Sequence, residues 1–232
     1  MYQFMEANPI TIFIVLGSIM VTPFFVLATY AFSGASIAKG AWIGVAFLLF
    51  GATMFLVCTL TLPAKLGIPG NFIVPAAWTL PSLILYLKRD WFLSEPLSER
   101  WLVGLQIFRV IGGVFLLEMI SGHIPAVFAY PAGLGDILVG VVALGVLLKY
   151  REAPRIPKAA INLVIVLGVA DFISAFFFGF TSSESPLQLF FPDEPSQLLL
   201  FPTGMIPLFL VPYAIFFHTL SALNEAKFGA RS

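Results

Sequence analysis

Only one cysteine occurs in the chain, Cys58 in the middle of an apolar run, which excludes an intrachain disulfide, a CxxC pair and a cysteine-built zinc site. Charge is equally scarce. Asp, Glu, Lys and Arg make up 10% of the 232 residues against 59% hydrophobic ones, and the mean hydropathy is +0.99. That is too little polar surface to cover a water-soluble globule, so lipid is the expected solvent and the chain reads as an integral membrane protein. No basic patch with interleaved aromatics is present, which excludes nucleic acid as a partner. No Lys or Arg precedes the first apolar run, and that run exceeds the length of a signal-peptide core, so it is expected to stay as a membrane helix.

Apolar segments long enough to cross about 30 Å of hydrocarbon lie near 10 to 32, 40 to 62, 71 to 87, 101 to 121, 124 to 148, 159 to 181 and 198 to 221. The expected fold is therefore all-α: one domain over residues 1 to 232, a bundle of seven transmembrane helices. The third segment is short and carries Pro75 and Pro81, which leaves open a re-entrant or interfacial placement. The last, with Pro202, Pro207 and Pro212, is expected to bend.

Lysine and arginine set the expected orientation. With the N-terminus outside, the inner loops hold ten of the 12 basic residues (Lys39, Lys88, Arg89, Arg100, Lys149, Arg151, Arg155, Lys158, Lys227 and Arg231) and the outer loops hold Lys65. Dropping the third helix puts the N-terminus inside and exchanges Lys39 for Lys65, so the C-terminus is cytoplasmic in both cases. The connection 182 to 197 is then outside; it carries Glu184, Asp193 and Glu194, and its Leu187, Leu189, Phe190 and Phe191 are expected to dip into the interface. The expected location is the cell membrane, with several passes.

The informative stretch is 106 to 136, two apolar helices folded back through Ser-Gly-His-Ile-Pro. With the fold line near Gly122 and His123, Arg109 and Asp136 come level; the next hairpin, folding near Pro154, brings Asp171 level with Asp136. Three ionisable groups then share a layer roughly 12 to 18 Å from either membrane surface. On the insertion scale they represent about 8 to 10 kcal/mol, so they must pair. Arg109 is expected to neutralise one carboxylate and leave the other for a proton, a small cation or a cationic ligand group. Asp136 is expected to stay charged against Arg109, while Asp171, helped by the Ser174 hydroxyl one turn on, takes up and releases the proton. The residues 133 to 140 and 168 to 175 share a pattern of Gly, two residues, Asp, three residues and a small residue. On helices it aligns Gly133, Asp136, Gly140 and Ala143, and again Gly168, Asp171, Ser174 and Ala175, as close-contact faces.

Glu118 and His123 lie toward the outer surface and are expected to line a vestibule facing the acidic connection. His218 is expected at the inner interface, about 30 Å from the outer end of its helix, too far from His123 for both to ligate one haem iron. Two histidines also fall short of a zinc set, so no cofactor or metal is expected.

The run Gly133-Leu134-Gly135-Asp136 resembles the GxGD signature of intramembrane aspartyl proteases, which implies Asp136 and Asp171 as a dyad sharing one proton. The resemblance covers four residues. In the presenilin-like members the GxGD aspartate comes second, after Tyr-Asp, and Pro-Ala-Leu follows. Here GLGD comes first, its partner is Ala170-Asp171, no Pro-Ala-Leu exists, and Arg109 at the same depth opposes proton sharing. The last helix has no lysine for a retinal Schiff base, no Pro-Gln pair marks a sugar-transporter repeat, and no three-histidine set marks a membrane hydrolase. The favoured function is transport or conduction of a small solute or ion coupled to proton or cation binding at Arg109, Asp136 and Asp171. The alternatives are an accessory protein with the three as a packing clamp, and the protease. The expected partners are the bilayer, a proton or small cation, and a small solute.

Overall fold

The computed structural model describes residues 7 to 60, 70 to 183, 187 to 193 and 196 to 229. It is 77% helix, and no strand occurs among these residues. Six helices are long and apolar enough to cross a membrane: α1 (Pro9–Phe32), α2 (Ile37–Thr59), α4 (Glu99–Ile120), α5 (Ala126–Lys149), α6 (Lys158–Thr181) and α7 (Ile206–Phe228). The shorter α3 (Gly70–Leu87) completes the helical bundle of a multi-pass membrane protein. Large apolar side chains such as Phe13, Phe24, Trp42 and Val166 point outward, as they do when hydrocarbon replaces water as solvent.

The sequence places the turns where they occur. Asn8 caps α1 by accepting from Ile10 N at 2.9 Å, with Pro9 at the first helical position, where its missing N–H has no cost. Gly34 (φ 69°) and Gly122 (φ 77°) turn the α1–α2 and α4–α5 hairpins in the left-handed region that suits glycine.

Hydrogen bonds between loops sort the helix ends into two groups. At one end, Ser36 N donates to Glu95 Oε2 (2.6 Å), Ser98 N to Ser33 Oγ (2.8 Å) and Leu97 N to Asn224 Oδ1 (2.9 Å), while Arg100 donates to Ala153 O. Lys39, Lys88, Arg89, Lys149, Arg151, Arg155, Lys158 and Lys227 belong to these loops and the adjoining turns. At the other end, Asn8 N donates to Glu118 Oε1 (3.2 Å) and Gln197 N to His123 O (3.0 Å). The end of α2 is here as well, because Cys58 Sγ lies within 3.0 Å of where a Cβ on Gly204 would sit. Residues 60 and 98 therefore lie at opposite ends of the bundle. α3 runs between those ends, with Trp78 against Pro207 near the start of α7 and, farther along α7, Ile84 and Phe216 lining one pocket. Lys65, Glu184, Glu194 and Arg231 lie outside the described residues.

Two helices depart from expectation. The last begins at Ile206 rather than near 198, since Pro202 and Gly204 hold the preceding residues in turns, and Pro202 thus bends nothing. Its first turn, Ile206–Leu210, is π-helical: Val211 N bonds back to Ile206 O. The next acceptor in that pattern, Pro207 O, would look to Pro212, which has no N–H, and the Trp78 indole donates to it instead at 2.7 Å. α7 is the central helix, with 78% of its most apolar stretch buried against 22% to 44% in the other long helices.

α4 is not uniformly α-helical: Glu99–Gly104 and Val114–Ile120 flank a 3-10 segment, Ile107–Gly113. Three residues per turn stack Gln106, Arg109 and Gly112 in one line, and all three are buried.

Candidate functional site

That line delivers Arg109, 2% exposed, to the centre of the bundle. Nε donates to Asp136 Oδ1 on α5 at 2.7 Å, Nη2 donates to Asp171 Oδ2 on α6, and Nη1 lies 3.3 Å from His218 Nε2 on α7. A guanidinium has only donors to offer, so Nε2 presents its lone pair and His218 is neutral with its proton on Nδ1. The Phe172 ring closes one face of the guanidinium, 4.0 Å from Cζ.

The structure thus brings Arg109, Asp136 and Asp171 together, with two differences from expectation. Arg109 serves both carboxylates through different nitrogens rather than one alone. His218, expected at an interface, is 4% exposed and joins the cluster, because the late start of α7 carries it to mid-bundle. One positive charge still faces two carboxylates, and Asp171 Oδ1 is buried with no hydrogen-bond partner among the described residues. Ser174 is half-buried, and no hydrogen bond among the described residues links it to Asp171.

Glycines on the neighbouring helices admit each member of the cluster. A Cβ on Gly112 would collide with the Asp136 carboxyl, one on Gly135 with Asp171 Oδ1, and one on Gly168 with His218 Nε2 and Arg109 Nη1. Gly133 and Gly140 let α5 approach the α4 backbone, within 3.1 Å of Gly112 O and 3.0 Å of Ile107 O measured from where a Cβ would stand. The repeated small-residue stripes are contact faces built around ionisable side chains.

A cavity of about 620 Å³ opens between α3, α5, α6 and the connection that follows α6. Ser182, Ser183, Gln188, Asp193 and Ser196 line its mouth, Trp78, Phe128, Phe176 and Phe180 its walls, and Asp136 and Asp171 its depth. Arg109 is not among the lining residues, being screened by Phe172. Leu187, Leu189 and Phe191 beside the mouth are exposed.

Glu118 does not line this cavity, contrary to the expected vestibule. It is 0% exposed and faces α1, accepting from Asn8 N, the Thr11 hydroxyl and His123, whose Nδ1 lies at 2.8 Å. It fastens the start of α1 to the α4–α5 turn. His123 is at that turn and His218 beside Arg109, and no group of three or more His, Cys, Asp or Glu suited to a metal occurs among the described residues.

Beyond Arg109, toward the basic end, polar groups continue along α7. His218, Ser221 and Asn224 recur every three residues and are buried. Glu99 accepts from Ser221 Oγ at 2.7 Å and from Asn224 Nδ2 at 2.6 Å. Gln106, in line with Arg109 and one turn nearer this end, is buried, and neither amide atom has a partner among the described residues. Sequence reading passed over these residues: singly, Ser, Asn and Gln in apolar helices give no signal, and only the packing of α4 on α7 aligns them.

The family described as a domain of unknown function, DUF8737, matches residues 72–223, and the chain belongs to it. The matched region holds every member of the Arg109 cluster and nearly all of α3 through α7. No curated protein and no solved structure matches the chain.

Proposed function

We propose that this protein resides in the cell membrane and transports or conducts a small solute or ion, with proton or cation binding at Arg109, Asp136 and Asp171 as the coupling event. One observation carries the reading: a cavity ends on two carboxylates that share a single arginine, and one carboxylate oxygen has no partner among the described residues. A buried excess negative charge is relieved by a proton or a cation, and a carboxylate with that choice is what coupled transport requires. The row His218, Ser221, Asn224 and Glu99 extends polar groups from the cluster toward the opposite end, supporting access from both sides. By the positive-inside rule the basic end is cytoplasmic and the cavity mouth faces outward.

The competing reading is a static clamp, favoured by the burial of the cluster and its seats against glycines. The protease reading loses ground, because Arg109 stands between the carboxylates and no hydrogen bond joins Asp136 to Asp171 among the described residues. Thermal melting of the purified protein in detergent separates coupling from clamp. The expected result is a wild-type melting temperature that depends on pH or Na⁺, with the dependence abolished in Asp171→Asn. If both Asp136→Asn and Asp171→Asn merely lower stability and the wild type shows no such dependence, the cluster is a clamp.

A further inference from the structure

We infer that the 620 Å³ cavity binds an organic monocation with an aromatic or apolar body, its charge seated over Asp136 and Asp171. The inference rests on reading the cavity as the solute side of the proposed transport site.

Three observations converge on this class. The first is charge. One guanidinium against two carboxylates leaves one negative charge in excess when both are ionised, and neutral His218 does not alter the sum. The second is what the cavity meets. Both aspartates line it, whereas the guanidinium that would attract an anion is covered by Phe172 at 4.0 Å. An occupant therefore faces carboxylate and aromatic surface, and Asp193 at the mouth adds a further carboxylate on the way in. The third is the wall. Trp78, Phe115, Phe128, Phe176 and Phe180 surround the space above the acids. An inorganic cation would have to exchange its hydration shell for these rings, while a delocalised or alkylated cation gains from their faces and from burial of its own apolar surface. The volume falls in the range of pockets that hold small organic molecules, about 300 to 1,000 Å³. Asp171, 8% exposed and lining the cavity beside Asp136, is a group such a charge would face.

The test compares two ions of one shape and opposite charge. Tetraphenylphosphonium and tetraphenylborate are titrated into the purified full-length protein in detergent, followed by calorimetry and thermal melting, with protein-free micelles as reference. Tetraphenylphosphonium is expected to bind and raise the melting temperature, tetraphenylborate to do neither, and Asp171→Asn to weaken the cation roughly tenfold or more. Trp78→Ala, which leaves the charges in place, is expected to weaken it as well. Equal response to both ions, or none to the cation in the wild type, overturns the inference whether or not the Asn variant folds. A wild type that ignores tetraphenylphosphonium yet keeps an Asp171-dependent response to pH or Na⁺ overturns the inference alone and leaves the coupling reading in place. Loss of both removes both.

Discussion

Gly135 and Asp171 occupy one another's space: the position a Cβ would take on Gly135 is filled by Oδ1 of the Asp171 carboxyl. The glycine before Asp136 thus serves the aspartate of the next helix, which accounts for the Gly-x-Gly-Asp run without proteolytic chemistry. Gly135→Ala forces α5 and α6 apart or turns the Asp171 side chain, and overpacking of this kind costs about 1 to 3 kcal/mol. The expected outcome is a lower melting temperature in detergent together with loss of any pH or Na⁺ dependence. Gly145→Ala on the same helix, where a Cβ meets nothing within 4 Å, is expected to change neither.

Asp171 is expected to be the carboxyl that takes up and releases a proton, since it is the member of the pair with a buried oxygen that has no partner among the described residues. Infrared difference spectra across a pH titration are expected to show a protonated carboxyl band that disappears in Asp171→Asn and persists in Asp136→Asn. A band that follows Asp136 reverses the assignment.

Glu118 gathers Asn8, Thr11 and His123 around one buried carboxylate, so Glu118→Ala leaves the three without their acceptor. A loss of at least about 2 kcal/mol is expected, with faster proteolysis near the start of α1. Because Glu118 is not among the residues lining the cavity, cation binding there is expected to survive in the fraction that stays folded.

Sidedness is tested with cysteines. In a Cys58→Ala background, a cysteine replacing Ser183 at the cavity mouth is expected to react with an impermeant thiol reagent from outside intact cells, and one replacing Ala153 at the basic end is not. The opposite pattern inverts the orientation.

The sequence by itself determined the all-helical, membrane-like bundle of apolar segments and the meeting of Arg109 with Asp136 and Asp171. Hydropathy measures the surface that lipid must cover, and two hairpins with a constant rise per residue bring distant positions level. It also marked the Gly and Asp stripes, because small residues beside a buried charge carry a packing requirement legible in one dimension. The tertiary structure decided the rest. The 3-10 winding of α4 lines up Gln106, Arg109 and Gly112, and no residue pattern announces it before α5 packs there. The late, π-helical start of α7 moves His218 from an expected interface to the guanidinium. Glu118 turned out to be a fastening for α1, a partnership across 107 residues that periodicity within one helix cannot report. The cavity belongs to tertiary structure altogether: empty space between α3, α5 and α6 depends on how far apart helices settle, which local sequence does not encode.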